Sequence, residues 1–255
     1  MEILRNRRLI ASAAGALIVA SMIGGAVYDK ESRPNTTATS LESRSVTTKT
    51  TNPTVANLPA TSERKNTYPL HQNITATEFW TGEPGDADNG YIQNRSSTWV
   101  EDWSEHFGGV DDPNHRNGYL PAGFTPKENP FYFALPYNDL DDNGNQKANA
   151  KSIPWYEGAK KYSDSIVKNH WIEIHKGNKA AYAQWEDAGP FGEDDFNYVF
   201  GNDRPANKTN DSAGLDLSPA ATDYLGLSGQ EAVDWRFVDE AEVPNGPWKQ
   251  IITNY

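Results

Sequence analysis

The chain contains 255 residues, carries a formal net charge of −12 and has no cysteine. The missing cysteine excludes disulfide bonds, thiolate nucleophiles and cysteine-ligated zinc. The negative charge argues against nucleic acid and anionic membrane surfaces as partners, because phosphate binding needs clustered lysine and arginine. A neutral or cationic ligand suits this charge better.

Residues 1–28 are predicted to be a signal peptide or an N-terminal membrane anchor. Three arginines near the start precede an uncharged, mostly apolar stretch over residues 9–28. The length of this stretch lies between the core of a signal peptide and a membrane span, so both alternatives stay open. Either one predicts export to the periplasm or the cell exterior, with membrane contact only through residues 9–28.

Composition divides the rest of the chain into a linker and a folded domain. Residues 29–72 are rich in Thr, Ser and Pro and hold few large apolar side chains, which predicts a disordered linker. The folded domain is predicted to span residues 73–255. Its first strand is expected over residues 74–80, where apolar and polar side chains alternate.

Residues 82–129 are predicted to form a long loop insert. The stretch is rich in Gly, Asp, Asn and Pro but carries isolated aromatic side chains. Loops of this length in a compact domain are usually functional or disordered, and the aromatic side chains favour order. A short helix is expected around residues 97–106.

Short strands are expected after the insert. The apolar run over residues 130–136, bounded by prolines, predicts a buried strand. Residues 171–175 and 180–187 predict a β-hairpin with its turn at residues 176–178. A last strand is expected over residues 232–238. Short strands with a single clear helix favour a mainly β fold, a small barrel, over an α/β sheet.

Two aspartates stand where a strand is expected to run into a turn or a helix. Asp187 lies two residues before Gly189, in a stretch that also predicts a turn. Asp216 lies two residues before Ser218, which with the following proline predicts a capped helix start; the helix is expected to end at Gly226. Because Ser218 already supplies the cap, Asp216 is available for another role.

One segment has the spacing of the first half of a calcium-binding loop. It is formed by Asp139, Asp141, Asn143 and Gly144. The twelfth position, where such a loop needs a bidentate Glu, is Ala150, so a solvated turn is favoured. A calcium-dependent binding module stays open as a further alternative. Apart from His170 and His175, which are expected to flank a strand, the histidines show no metal-ligand spacing, and no metal or cofactor is expected.

Four motifs follow one another in the folded region. They are Asp-Ala-Gly-Pro, Gly-Leu-Asp-Leu-Ser-Pro-Ala-Ala, Val-Asp-Trp-Arg-Phe-Val and Val-Pro-Asn-Gly. In this order they resemble the barrels of expansins, family 45 endoglucanases and RlpA- and MltA-like lytic transglycosylases. The resemblance covers roughly residues 73–248. It implies a six-stranded double-psi β-barrel with one or two short helices and a long loop insert, and a polysaccharide substrate.

The resemblance assigns the catalytic role to the two aspartates. Asp216 would be the proton donor to the glycosidic oxygen, or the groove acid of an expansin, and Asp187 would match the acid of the preceding turn and tune or assist it. The endoglucanases carry their catalytic base where this chain has Thr81. The following loop offers three acids that no motif supports as a replacement: Glu83, Asp86 and Asp88.

Five residues are expected to bind substrate. Thr77 and Trp80 match the start of the first strand in the endoglucanases, and Trp235 with Arg236 matches an expansin strand that carries a Tyr-Arg pair. Trp185 is included because an exposed aromatic side chain can stack on a sugar ring.

The function expected from these residues is an exported protein that binds or modifies a cell-wall glycan. Its action would be expansin-like loosening, or lytic or hydrolytic cleavage, on peptidoglycan, cellulose or chitin. The alternative is a non-catalytic structural or interaction module on a membrane-anchored stalk, which the threonine in place of the base favours.

Overall fold

The computed structural model describes residues 68–87 and 89–255. The predicted signal peptide or anchor and nearly all of the predicted linker lie outside these residues. Within the described part of the chain, no helix combines the length and the apolar character that crossing a membrane requires.

Six strands form a closed barrel: β1 (His71–Glu78), β4 (Tyr132–Leu135), β5 (Trp171–Lys176), β6 (Lys179–Ala188), β7 (Leu215–Leu217) and β8 (Glu231–Val238). Their order around the barrel is β1-β7-β4-β6-β5-β8. The β1–β7 and β4–β6 pairs are parallel and the other four are antiparallel. The prediction of a mainly β fold around a six-stranded barrel is confirmed.

Short elements connect the barrel strands. The described residues contain three α-helices, one more than expected: α1 (Trp103–Phe107), α2 (Phe196–Phe200) and α3 (Pro219–Leu225). Strands β2 (Arg116–Asn117) and β3 (Leu120–Pro121) pair with each other inside the insert. Short 3₁₀ helices cover Ala148–Ser152, Glu240–Glu242 and Pro247–Lys249.

Helix α3 forms as its end signals predict. The Ser218 hydroxyl accepts the Ala221 N–H, and the proline of the first turn needs no hydrogen-bond acceptor. Gly226 ends the helix in the left-handed region with φ of 75°, where a side chain would be strained. The β5–β6 hairpin is likewise confirmed, with Gly177 in its turn at φ of 58°.

Strand β1 begins at His71, three residues earlier than the expected start at Ile74. The His71 ring stacks on Trp235, its Cα partner on β8, with ring centroids 4.1 Å apart. The pairing of β1 with β8 shifts register between His71 and Ile74, where Asn73 has φ of 53°. Because the register is irregular here, the alternation of apolar and polar residues predicts a start of β1 that is too late in the chain.

An aromatic core fills the barrel. Phe133 and Phe237 both stack on Trp185, each with ring centroids 5.7 Å away. Trp185 and Trp235 are fully buried. Large aromatic side chains of this kind supply most of the apolar surface that a domain without disulfides must bury.

The insert packs on the outer face of the barrel around a second, smaller core. Its buried members are Phe79, Trp103, Phe107, Tyr132 and Ala134. A polar anchor lies beside them: Asp111 is fully buried, pairs with Arg116 and accepts a hydrogen bond of 3.0 Å from the Tyr132 hydroxyl. The insert is therefore ordered, as its aromatic side chains predict, although its helix covers only Trp103–Phe107.

Candidate active site

The predicted acids lie in one row across neighbouring strands. Thr77 on β1 is the Cα partner of Asp216 on β7, and Ala134 on β4 is the partner of both Asp216 and Asp187. Directly paired residues project from the same face of a sheet. We call Thr77, Asp216, Ala134 and Asp187 the acidic row. Ala134, with its small side chain, lies between the two aspartates in this row.

The acidic row lies on the outer face of the barrel, on the side that the insert covers. Leu215 and Leu217, which flank Asp216, belong to the barrel core, so Asp216 projects the other way. Ala134 belongs to the small core that the insert forms. The site is thus built where the insert meets the barrel wall.

Asp216 is held between β1 and the turn after β6. The Thr77 hydroxyl donates a hydrogen bond to its Oδ1 atom. A Cβ atom on Gly189 would lie 3.4 Å from its Oδ2 atom, so the glycine leaves room beside the carboxyl group. Burial, with the negative charges of Asp187 and Glu83, raises the pKa of Asp216 to about 7, and the Thr77 hydrogen bond opposes this rise. An acid with this pKa keeps its proton close to neutral pH.

Asp187 is oriented by backbone donors. Its Oδ1 atom accepts the N–H of Thr98 at 2.7 Å and the N–H of Ala188 at 2.8 Å. Burial raises its pKa to about 6, while these hydrogen bonds oppose the rise and the charge of Glu193 adds to it. A register shift between Phe133 and Ala134 sets Asp187 opposite Ala134, which shows how an irregular pairing re-aims a side chain.

Glu83 is the insert's contribution to the site. Its backbone N–H donates to the carbonyl of Trp80 at 3.1 Å, and the Asn94 side chain donates to its Oε2 atom at 2.7 Å. Burial raises the pKa of Glu83 to about 7, and the charge of Asp86 also raises it. Sequence reasoning reached Glu83 only as one of three acids in the loop after β1. Its position two residues past Thr81 was the only signal.

Thr81 itself is not an exposed site residue. Its side chain is fully buried, and its backbone N–H donates to the Tyr132 hydroxyl at 3.1 Å. A base at this position would have no access to a substrate in this structure. Of the other acids in the loop, Asp86 is exposed, while Asp88 lies outside the described residues.

Three expected substrate-binding residues do not join the site. Trp185 and Trp235 are fully buried in the barrel core, so neither ring offers a face to a sugar. Arg236 pairs with Glu173 on the neighbouring strand β5, at 2.6 Å. We assign these three to the framework. The structure brings together Thr77, Asp187 and Asp216. Trp80 is partly buried, and its backbone carbonyl accepts the Glu83 N–H.

The calcium-loop segment forms a hydrogen-bonded turn. Asp139 is fully buried and accepts the Ser165 hydroxyl at 2.6 Å and the Ile166 N–H at 2.7 Å. Asp141 accepts the N–H groups of Asn143 and Asn145 at 2.8 and 2.9 Å. Over residues 68–87 and 89–255, no group of three or more His, Asp or Glu side chains is arranged to hold a metal ion.

A second pair of buried carboxyl groups lies outside the acidic row. Glu128 accepts the Trp103 indole N–H at 2.9 Å, and Glu186 lies 3.7 Å from the Lys168 ammonium group. The Oε1 atoms of both glutamates are buried without a hydrogen bond. Burial raises the pKa of Glu186 to about 8 and that of Glu128 to about 7; Lys168 opposes both shifts.

Glu186→Gln is expected to flatten the pH dependence of stability. Between about pH 5 and pH 8 the folded chain keeps the Glu186 proton that the unfolded chain has lost. The contribution of Glu186 to the free energy of unfolding is therefore present at low pH and is lost as the pH rises through about 8. In Glu186→Gln, the free energy of unfolding should fall less steeply with rising pH over this range, by about 1.4 kcal/mol per pH unit. Urea unfolding over this range measures the slope. Exposed Glu157→Gln is the control; parallel curves for Glu186→Gln and the wild type would contradict the prediction.

Comparison with known proteins does not assign this chain to a family. No protein-family model matches the chain, and no curated protein matches its sequence. The relation to the double-psi barrels therefore stays a resemblance carried by motifs.

Proposed function

We propose that this protein is an exported enzyme that cleaves a cell-wall polysaccharide, with Asp216 as the proton donor. The observation that carries the proposal is the position of Asp216: it is half-buried, held by Thr77 and influenced by the charges of Asp187 and Glu83. Its raised pKa of about 7 supports the role of an acid near neutral pH. The motif resemblance to double-psi barrels and the character of residues 1–28 support the glycan and the export.

The carboxyl groups of Asp187, Asp216 and Glu83 would take different roles in the reaction. Burial raises the pKa of Asp187 to about 6, and backbone N–H groups oppose that rise by stabilising its anion. Once ionised, it helps Asp216 to keep a proton. Asp216 would donate that proton to the glycosidic oxygen as the bond to the sugar carbon breaks.

Glu83 favours hydrolysis over cleavage without water. Hydrolysis with inversion needs a second carboxylate that takes a proton from the attacking water. Glu83 is partly buried and is one of the two acids whose charge acts on Asp216. In its ionised form it would stand in for the base that is missing at position 81; because its pKa is also about 7, only a fraction of the molecules near neutral pH combines an ionised Glu83 with a protonated Asp216.

Incubation with peptidoglycan, cellulose and chitin, followed by mass spectrometry of the products, tests the proposed function. New reducing ends are expected from at least one polymer. Anhydro-sugar ends would keep Asp216 as the acid and rule out Glu83 as the base. If no product forms and no polymer is bound, the proposal is wrong and the non-catalytic module is the better description.

A further inference from the structure

A cavity of about 450 Å³ lies in the connection between β4 and β5. Its walls come from two segments, within residues 144–151 and residues 156–162, and no member of the acidic row lines it. The volume falls in the range of small-molecule sites, roughly 300–1,000 Å³. The cavity is therefore a second candidate site, apart from the candidate active site.

Two hydrogen bonds and one close approach join the walls of this cavity. The Ser163 N–H donates to the Gly144 carbonyl at 3.0 Å, and the Lys160 N–H donates to the Oε1 atom of Gln146 at 3.2 Å. Gly144 has φ of 76°, and a Cβ atom on it would lie 3.1 Å from the Tyr162 ring. The glycine thus lets the two segments approach closely. The cavity is shaped by specific contacts between its walls.

The lining of the cavity is basic, although the chain as a whole carries a net charge of −12. It contains four lysines and no aspartate, glutamate or arginine. Lys147 pairs with Asp194 at 2.5 Å. The other three, Lys151, Lys160 and Lys161, are exposed, and their ammonium groups form no ion pair or hydrogen bond with any residue that the structure describes. The net charge favours a neutral or cationic ligand, but this cavity is a local exception.

Gln146 adds a donor to the lysines. Its Oε1 atom accepts the Lys160 N–H, which sets the Nε2 atom on the other side of the amide group. Nε2 is buried without a hydrogen bond to any described residue, and an acceptor atom that reached it would remove the cost of that state. Ammonium groups and an amide donor are the groups with which proteins recognise anions.

We infer that this cavity binds a phosphate group, with Lys151, Lys160 and Lys161 as its charge partners. Lysine binds phosphate as a point charge, whereas a planar carboxylate is matched by the arginine fork, which the lining lacks. A phosphate dianion also carries more charge than a carboxylate, so it gains more from three ammonium groups. The inference goes beyond the proposed function and does not depend on it.

The size of the cavity and its aromatic side chains favour a phosphate carried by a small organic molecule. A bare phosphate ion would fill only a small part of about 450 Å³. Tyr156 and Tyr162 also line the cavity, and tyrosine rings offer an apolar surface on which a sugar can pack. A sugar phosphate combines both requirements.

Calorimetry on the wild-type protein with three probes tests the inference. At about pH 8 a phosphate group is a dianion and the lysines stay protonated. The probes are glucose 6-phosphate, inorganic phosphate and glucuronate, which keeps a sugar ring but carries a carboxylate. We expect glucose 6-phosphate to bind at least about tenfold more tightly than glucuronate, the effect of one added charge-assisted contact. Tighter binding of glucose 6-phosphate than of inorganic phosphate would support a sugar phosphate as the ligand, and equal binding would support the free ion.

Substitutions of single lysines separate the cavity from the overall charge of the protein. Lys161→Gln should weaken binding of glucose 6-phosphate by about tenfold. Lys127→Gln removes the same charge from an exposed position outside the cavity and should leave binding unchanged. If both substitutions weaken binding equally, or if glucuronate binds as tightly as glucose 6-phosphate, the inference is wrong. Failure of both phosphate probes to bind would also overturn it, and each of these results would leave the proposed function standing.

Discussion

Asp216→Asn is expected to lower the rate of glycan cleavage by about 10²–10⁴-fold, the usual contribution of a general acid. Asparagine has nearly the shape of the protonated carboxyl group and can still accept the Thr77 hydroxyl, so the fold should be preserved. Binding of the substrate should therefore change far less than turnover. Cleavage rates and binding constants measured on the same polymer separate the two effects.

The control for Asp216→Asn is Asp164→Asn, the same chemical change at an exposed position. It should leave cleavage unchanged. Asp187→Asn gives a second readout, because removing a negative charge near Asp216 should lower the pKa of that acid. The alkaline limit of cleavage should then move to lower pH. Unchanged cleavage in Asp216→Asn would contradict the assignment of Asp216 as the acid.

Trp185→Ala is expected to destabilise the fold by about 3–5 kcal/mol, the cost of truncating a large core aromatic side chain. The indole is fully buried between Phe133 and Phe237, and its N–H donates to the Asp187 carbonyl at 2.8 Å. The substitution therefore leaves a cavity and frees the end of β6. Chemical denaturation measures the loss.

The exposed ring of Tyr91 provides the comparison for Trp185. Tyr91→Ala should change stability by no more than about 0.5 kcal/mol, as surface substitutions usually do. If Trp185→Ala were as stable as the wild type but bound glycan poorly, Trp185 would be a substrate contact as the sequence predicted, and its placement in the core would be wrong.

Local signals in the sequence account for the elements that formed as predicted. Helix α3 has a cap at Ser218 and a glycine stop at Gly226, and both act within a few residues. The β5–β6 hairpin is likewise closed by its own turn at Gly177. The buried strand β4 follows from one apolar run. In each case the interacting groups lie close together in the chain.

Long-range contacts account for the parts that sequence reasoning missed. Glu83 acts on Asp216 because the strand that precedes it, β1, pairs in parallel with β7, and no local pattern in the sequence specifies that pairing. Tryptophan serves equally well as a core residue and as a sugar-binding surface. Trp185 and Trp235 are core residues because the closed barrel surrounds them, and that closure is a property of the whole fold.

Titration of the Asp216 carboxyl carbon by NMR tests the central claim most directly. With Asp216 identified by comparison with Asp216→Asn, we expect a pKa of about 7 in the wild type and a lower one in Asp187→Asn. A pKa close to 4, the ordinary value of an aspartate, would mean that Asp216 is ionised at neutral pH. It could not then serve as the proton donor, and the account would be contradicted.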